Sequence, residues 1–166
     1  GQAQVIAVDK TGTITKNEMV IKEVYVDGKL FEVDGIGYEP SGKILLGGEP
    51  VNPSEYGGLI YAAEIGALSS RAQLIVNEKK NEWKISGDPT EAALHVFSKK
   101  LGFDREELEK KSRLIWEKPF DYKIKFHAAV HEIGGANFLA VVGAPEVLLK
   151  LSDKIYIGGK GTKLSQ

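Results

Sequence analysis

The sequence contains no cysteine, which excludes a disulfide framework, a thiolate zinc site and a cysteine nucleophile. Charge of one sign is equally scarce. Against 22 Lys and Arg stand 23 Asp and Glu, a formal net charge of -1, and their interspersion leaves no basic stripe to neutralise nucleic-acid phosphates. Long apolar runs are missing as well: Phe138 to Val142 and Val147 to Leu149 fall far short of the roughly 20 residues a membrane-spanning helix requires. The opening Gly1-Gln2-Ala3-Gln4 lacks the basic-then-apolar form of a secretory signal and reads as a cut within a longer protein. His95, His127 and His131 make no metal-ligand set. His127 and His131 share a strand face too far apart for one ion, so solvated or packed histidines are expected. No Ser/His/Asp triad is inferable. Gly35-Ile36-Gly37-Tyr38-Glu39-Pro40 lacks the third glycine of a dinucleotide fingerprint, and Gly158-Gly159-Lys160-Gly161-Thr162 lacks P-loop spacing, so both are expected to be turns.

What is present suffices for one globular domain, since 42% hydrophobic residues over 166 positions can bury a core without covalent staples. Val5-Ile6-Ala7-Val8 is a uniform apolar run ending in Asp9, the pattern of a buried parallel strand delivering a carboxylate at its C-terminal end. Antiparallel signals follow it. Val24 to Val26 and Leu30 to Val33 flank Asp27-Gly28-Lys29, a hairpin in which Gly28 supplies the positive φ of a tight turn. A short strand is expected at Ile44-Leu45-Leu46. Asn52-Pro53-Ser54-Glu55 predicts a helix from Pro53 to about Leu68 with Leu59, Ile60, Ala63 and Ala67 inward. Strands near Ala72 to Val76 and Trp83 to Ile85 bracket a polar loop. Asp88-Pro89-Thr90-Glu91 starts a second helix, with Asp88 and Glu91 as a capping pair, Ala93, Leu94, Phe97 and Leu101 on one face, and Gly102 as its stop. A charged helix at Asp104 to Lys111, an alternating strand through Ile124, Phe126, Ala128 and Val130, and a strand from Phe138 to Val142 complete the pattern with a helix at Pro145 to Leu151 and a strand at Ile155 to Ile157.

Asp9-Lys10-Thr11-Gly12-Thr13-Ile14-Thr15 concentrates the chemistry. A carboxylate nucleophile, a lysine against phosphate charge, a glycine permitting backbone approach and donating hydroxyls suit phosphoryl transfer. The run resembles the phosphorylation motif of P-type ATPases. That resemblance implies that Asp9 becomes a phosphoryl-aspartate beside Lys10 and Thr11, and that Asp9 and Thr11 belong to a Mg²⁺ site in the full pump. Phosphatases of the haloacid-dehalogenase kind share the strand-end aspartate but usually carry a second acid two residues on. Here that position is Thr11, and without the acid a phospho-aspartate persists, as a pump requires.

Further blocks resemble the nucleotide domain of type II cation pumps, especially the calcium-pump-like branch. Gly35 to Gly42 followed by Ile44 is similar to that domain's entry segment, and Gly87-Asp88-Pro89-Thr90-Glu91-Ala92-Ala93-Leu94 to a block whose Thr and Glu face adenine. Pro119-Phe120-Asp121-Tyr122-Lys123-Ile124-Lys125 looks like the block whose Phe stacks on the base and whose Lys lines the site. Phe120 has a second reading as a plain core residue, and Thr90 and Glu91 a second reading as helix caps. Lys125, alternating away from Ile124 and Phe126, is expected to face the site if Phe120 does. Gly143-Ala144-Pro145-Glu146 resembles a strand-to-helix turn where a small residue admits nucleotide. Two positions depart from the family: Val142 replaces a usual lysine and Tyr122 a frequent arginine, which puts two cationic contacts to ATP in doubt.

The expected fold is therefore α+β, an antiparallel β-sheet flanked by helices, with a short strand of the phosphorylation domain in residues 1–18 and a nucleotide-binding domain in residues 19–166. The resemblance implies ATP as substrate, Mg²⁺ in the full enzyme, and the pump's phosphorylation, actuator and transmembrane domains as partners at the cytosolic face of a membrane. The piece itself is expected to be soluble and monomeric, to lack most of the catalytic site, and to bind the adenosine end of ATP without turning it over. Two alternatives stay open: a nucleotide-independent interaction module on the same fold, and a haloacid-dehalogenase-like phosphatase.

Overall fold

The computed structural model describes residues 18–77 and 82–164. The expected strand Val5 to Val8, the motif residues Asp9, Lys10 and Thr11, and residues 78–81 of the polar loop lie outside the described residues. Strands β1 (Glu23–Val26), β2 (Lys29–Val33), β3 (Ile44–Leu46) and β4 (Glu49–Pro50) form an antiparallel meander in sequential order. Its first turn places both Asp27 and Gly28 at positive φ, 53° and 72°, the geometry that matches the right-handed twist of a two-residue hairpin.

The helix expected from Pro53 is divided in two. A 3₁₀ turn, Pro53–Glu55, is capped by the Asn52 side chain, whose Oδ1 accepts from the Ser54 amide at 3.2 Å. Tyr56 then leaves helical geometry at φ -118°, ψ 86°, and α1 runs Gly57–Leu68. Packing explains the break. The Tyr56 ring sits edge-on to Phe31 at 4.9 Å, Lys29 Nζ lies 4.8 Å over its centre, and the glycine pair that follows gives a helix little local support. Leu59, Ala63 and Ala67 are buried as expected, and Ile60 is half-buried.

Strands β5 (Gln73–Asn77) and β6 (Glu82–Ser86) pair as a hairpin, and α2 (Pro89–Lys100) and α3 (Arg105–Lys111) follow. Helices α1 and α2 pack closely where Gly66 faces Ser98, whose hydroxyl donates to the Ala63 carbonyl at 2.7 Å. Phe31, Val33 and Ile44 from the meander meet Leu59, Ala63 and Phe97 from these helices in one core, and full burial of side chains such as Phe31 and Leu59 stabilises by about 1.5–3 kcal/mol each. A smaller core joins Tyr38, Ala72, Ala92 and Val96.

The third sheet is β7 (Ser112–Asp121), β8 (Phe126–Ile133) and β9 (Ala136–Gly143), antiparallel in that order. Most of β7 carries no alternating pattern because its register shifts twice, between Leu114 and Trp116 and between Lys118 and Asp121, leaving Leu114, Ile115 and Trp116 exposed together. Helix α4 (Pro145–Leu151) and the hairpin β10 (Lys154–Ile157) and β11 (Lys160–Lys163) close the chain. Every strand pairing among the described residues is antiparallel, so the α+β class holds, with the strands distributed over four sheets rather than one.

Candidate functional site

Four chain segments converge on a cleft of about 660 Å³: the end of α1, the start of α2, the end of β7 with its connection to β8, and the β9–α4 turn. Thr90, Glu91, Phe120, Tyr122, Lys125, Gly143 and Ala144 all line it, together with Ser69, Asp88, Leu94, His127, Val142 and Glu146. Phe120 is 50% exposed and meets Tyr122 edge-on at 5.3 Å. It is therefore a cleft-wall ring and not a core residue.

The start of α2 is organised by Asp88, whose Oδ1 accepts from the Thr90 amide at 2.8 Å and the Glu91 amide at 3.2 Å. The expected capping pair is only half formed. The Glu91 carboxylate turns instead to accept from the Arg71 amide at 2.8 Å, so Asp88 alone satisfies the helix end.

Lys125 reaches the cleft by a route other than strand alternation. It stands at φ 59° in a turn closed by its amide donating to the Asp121 carbonyl at 2.7 Å, and β8 begins only at Phe126. Its Nζ lies 3.1 Å from Glu146 Oε1, an exposed pair. The Glu146 backbone amide, followed by Lys125, holds the Glu146 carboxyl below its ordinary range, so it stays ionised near neutrality. Gly143 opposes Phe126 across β8 and β9, and a Cβ there would meet Lys125 O and Phe126 Cβ at 2.5 Å. The chain itself thus requires this glycine, whatever binds beside it.

Behind the cleft runs a polar relay absent from the sequence reading. Arg71 pairs with Glu117 Oε2, and Glu117 Oε1 lies 3.0 Å from His127 Nε2. Glu117 pairs with Ala129, two residues from His127 along the same face of β8, so the contact is diagonal across the strands. Alternation along β8 was the available signal. All three histidines are buried: His95 Nδ1 contacts the Ala72 carbonyl at 2.9 Å and His131 Nε2 the Leu68 carbonyl at 3.0 Å. They are packed and not solvated. Burial, opposed by the Ala72 contact, pushes the His95 pKa down. Among the described residues no group of three metal-ligating side chains occurs. Formal charge on the cleft wall is acidic, Asp88, Glu91 and Glu146 against Lys125.

The sequence of residues 59–166 matches the family model of the P-type ATPase cytoplasmic domain N. The chain belongs to this family. Relatives of this P-type ATPase domain include a calcium-transporting ATPase of Bacillus subtilis, 35% identical over 99% of the chain and 18% of the relative. The cation-transporting ATPase pma1 of Synechocystis is 33% identical over 95% of the chain and 18% of its own length. A sodium/potassium-transporting ATPase subunit alpha-B of Artemia franciscana is 27% identical over 100% of the chain and 16% of its own. The chain thus spans less than a fifth of the length of these relatives. No helix among the described residues is long and apolar enough to cross a membrane. Within the N domain, the cleft draws on Ser69 and His127 as well as on the blocks that carry the family resemblance.

Proposed function

We propose that this chain binds the adenosine end of ATP in the cleft around Phe120, as the nucleotide-binding part of a cation-transporting P-type ATPase. The observation that carries this reading is convergence. Thr90, Glu91, Phe120, Tyr122, Lys125, Gly143 and Ala144, drawn from three separate blocks of sequence, border one cleft. A half-exposed phenyl ring there can offer its face to a base, a contact worth about 1–3 kcal/mol.

The charges define what enters. With Asp88, Glu91 and Glu146 against Lys125, the interior suits a neutral nucleoside better than a polyphosphate, so the phosphates project outward. Lys125 is the cation at hand for them, and a phosphate must compete with Glu146 for it. Val142 and Tyr122 supply no charge where relatives of the family often carry Lys and Arg. Stacking plus few polar contacts gives affinity on the order of millimolar.

In the whole pump, this domain would present the γ-phosphate to Asp9, whose carboxylate attacks phosphorus and releases ADP. Lys10 and Thr11 would assist, with Asp9 and Thr11 in the Mg²⁺ site at the cytosolic face, alongside the phosphorylation, actuator and transmembrane domains. Those residues lie outside the described ones, and the proposal for them rests on the motif alone.

An NMR titration of the chain with AMP and ATP, with and without Mg²⁺, tests the reading. Shifts centred on Phe120, Glu91 and Gly143, nearly independent of Mg²⁺, are expected, and Phe120→Ala should weaken AMP about fivefold or more. Shifts centred elsewhere, or unchanged affinity in Phe120→Ala, would refute it and favour a nucleotide-independent module.

A further inference from the structure

Formal charge over the whole chain is nearly balanced, at -1, but it is not evenly placed. The cleft around Phe120 carries three acids against one lysine. A second cleft, of about 640 Å³, is formed by the end of α1, by α3, by the start of β7 and by the β8–β9 turn. It carries the reverse: Arg71, Arg105, Lys110, Lys111 and Arg113 against Glu109 and Glu132. Both of those acids are already engaged. Glu109 Oε1 accepts from Arg105 Nε at 2.7 Å, and Glu132 Oε2 accepts from Arg113 Nη2 at 2.6 Å. Arg71 pairs with Glu117, which does not line this cleft. Lys110 and Lys111 have no ion-pair partner among the described residues.

The two lysines stand in the last turn of α3, where cations offset the partial negative charge of a helix C-terminus. That accounts for them singly and not for their company. Arg113 follows on β7, and Arg71 arrives from the α1–β5 connection, a separate part of the chain. Hydrogen bonds fix the walls that carry them. Ser112 Oγ donates to the Leu108 carbonyl at 2.8 Å, closing the corner between α3 and β7. The Leu68 carbonyl accepts from His131 Nε2 at 3.0 Å, tying the end of α1 to β8. Cations gathered in this way repel one another unless an anion lies between them, and fixed walls lower the ordering cost of binding one.

We infer that this cleft binds a polyvalent oxyanion, with a polyphosphate chain as the class of ligand. Guanidinium and ammonium groups donate and never accept, so the wall selects anions over neutral ligands. A concave wall of one sign focuses its field on the space it encloses. Cations that approach from several elements suit a compact ligand of several charges better than an extended acidic strand laid along one face. The volume lies in the range of small-molecule sites, about 300–1,000 Å³. This inference stands apart from the nucleotide reading, because the two clefts share no lining residue.

NMR titration of the chain with inorganic tripolyphosphate, and with sulfate as a divalent comparison, tests it. Amide shifts are expected over Leu108 to Leu114 and at Gly134 and Gly135. Tripolyphosphate should bind at least about tenfold tighter than sulfate, and should weaken as salt rises from about 20 to 200 mM. The double variant Lys110→Gln/Lys111→Gln should lose at least about fivefold in tripolyphosphate affinity while melting within about 4 °C of the wild type. Lys154 and Lys163 face each other across β10 and β11, so Lys154→Gln/Lys163→Gln removes the same charge elsewhere and should leave affinity within about twofold. Equal losses in the two double variants, shifts scattered over surface lysines, or sulfate binding as tightly as tripolyphosphate would reduce the effect to general charge attraction and overturn the site. Shifts centred on Lys125 and Phe120 would overturn it by assigning the anion to the other cleft. If the Lys110/Lys111 variant does not fold, the shift map and the tripolyphosphate-to-sulfate ratio of the wild type still decide. AMP titrated in parallel reports on the nucleotide reading alone, so either reading can fail while the other stands.

Discussion

Replacing Gly143 by alanine separates a glycine needed by the chain from one needed by a ligand. An alanine Cβ would stand 2.5 Å from Lys125 O, 2.5 Å from Phe126 Cβ and 2.7 Å from Phe126 Cα. Two of those three atoms are backbone, and they belong to the strand end that pairs with Gly143 and to the carbonyl that accepts from the Ala144 amide at 2.9 Å. Neither can retreat by half an ångström or more without lengthening that bond or opening the last rung of β8 and β9. Overpacking of this kind costs about 1–3 kcal/mol. In a chain of 166 residues, where each kcal/mol moves the midpoint by roughly 2–4 °C, the melting temperature should fall by about 2–12 °C with no ligand present. Scanning calorimetry, with urea unfolding at 25 °C as a second measure, reads this directly. A variant that melts within about 1 °C of the parent would refute the steric account. If that same variant also lost AMP binding, the glycine would return to a ligand-approach role.

Gly57 provides the opposite case. It opens α1 at negative φ with nothing within 4 Å of an added Cβ, so Gly57→Ala should stabilise by a few tenths to about 1 kcal/mol in urea unfolding, and a loss would contradict the open environment. Glu146→Gln removes the carboxylate that holds Lys125 Nζ at 3.1 Å and one acid from the cleft wall. ATP affinity should rise about twofold to fivefold at low salt and less at high salt, whereas weaker ATP binding would show that Lys125 needs Glu146 to be placed. Burial depresses the His95 pKa below its ordinary 6.5, so the unfolded chain takes up this proton first on acidification. The stability that neutral His95 contributes is complete above about pH 6.5, declines below it by at most about 1.4 kcal/mol per pH unit, and stops declining at the lower folded-state value. His95→Gln should flatten that component of urea midpoints measured between pH 8 and 5, and an identical slope in the variant would refute the assignment.

Several elements could be read from neighbours along the chain. Asp27-Gly28 makes its hairpin and Ile44–Leu46 its strand, Asp88-Pro89 starts α2, and Pro145 starts α4. Each depends on φ preferences, capping or proline geometry within a few residues, and such signals survive in the sequence. The blocks around Thr90, Phe120 and Gly143 were legible for the same reason, since a turn chemistry and its family resemblance are both local. Other features depended on residues far away. Tyr56 breaks its helix because Phe31 and Lys29 hold its ring, and β7 hides its pairing behind two register shifts. Lys125 enters the cleft from a left-handed turn that no alternation describes.

By itself the sequence determined the α+β class, most element positions and the domain family, through local propensity and motif order. Only the tertiary structure decided that Phe120 is a cleft wall and not core, because a ring's exposure is set by what packs over it. It alone decided that Gly143 serves the β8–β9 pairing, and that Ser69 and His127, far apart in the sequence, border the same cleft while each keeps a buried polar atom unpaired. Hydrogen-bond satisfaction of a buried atom is a property of its surroundings in space, and no spacing along the chain encodes it.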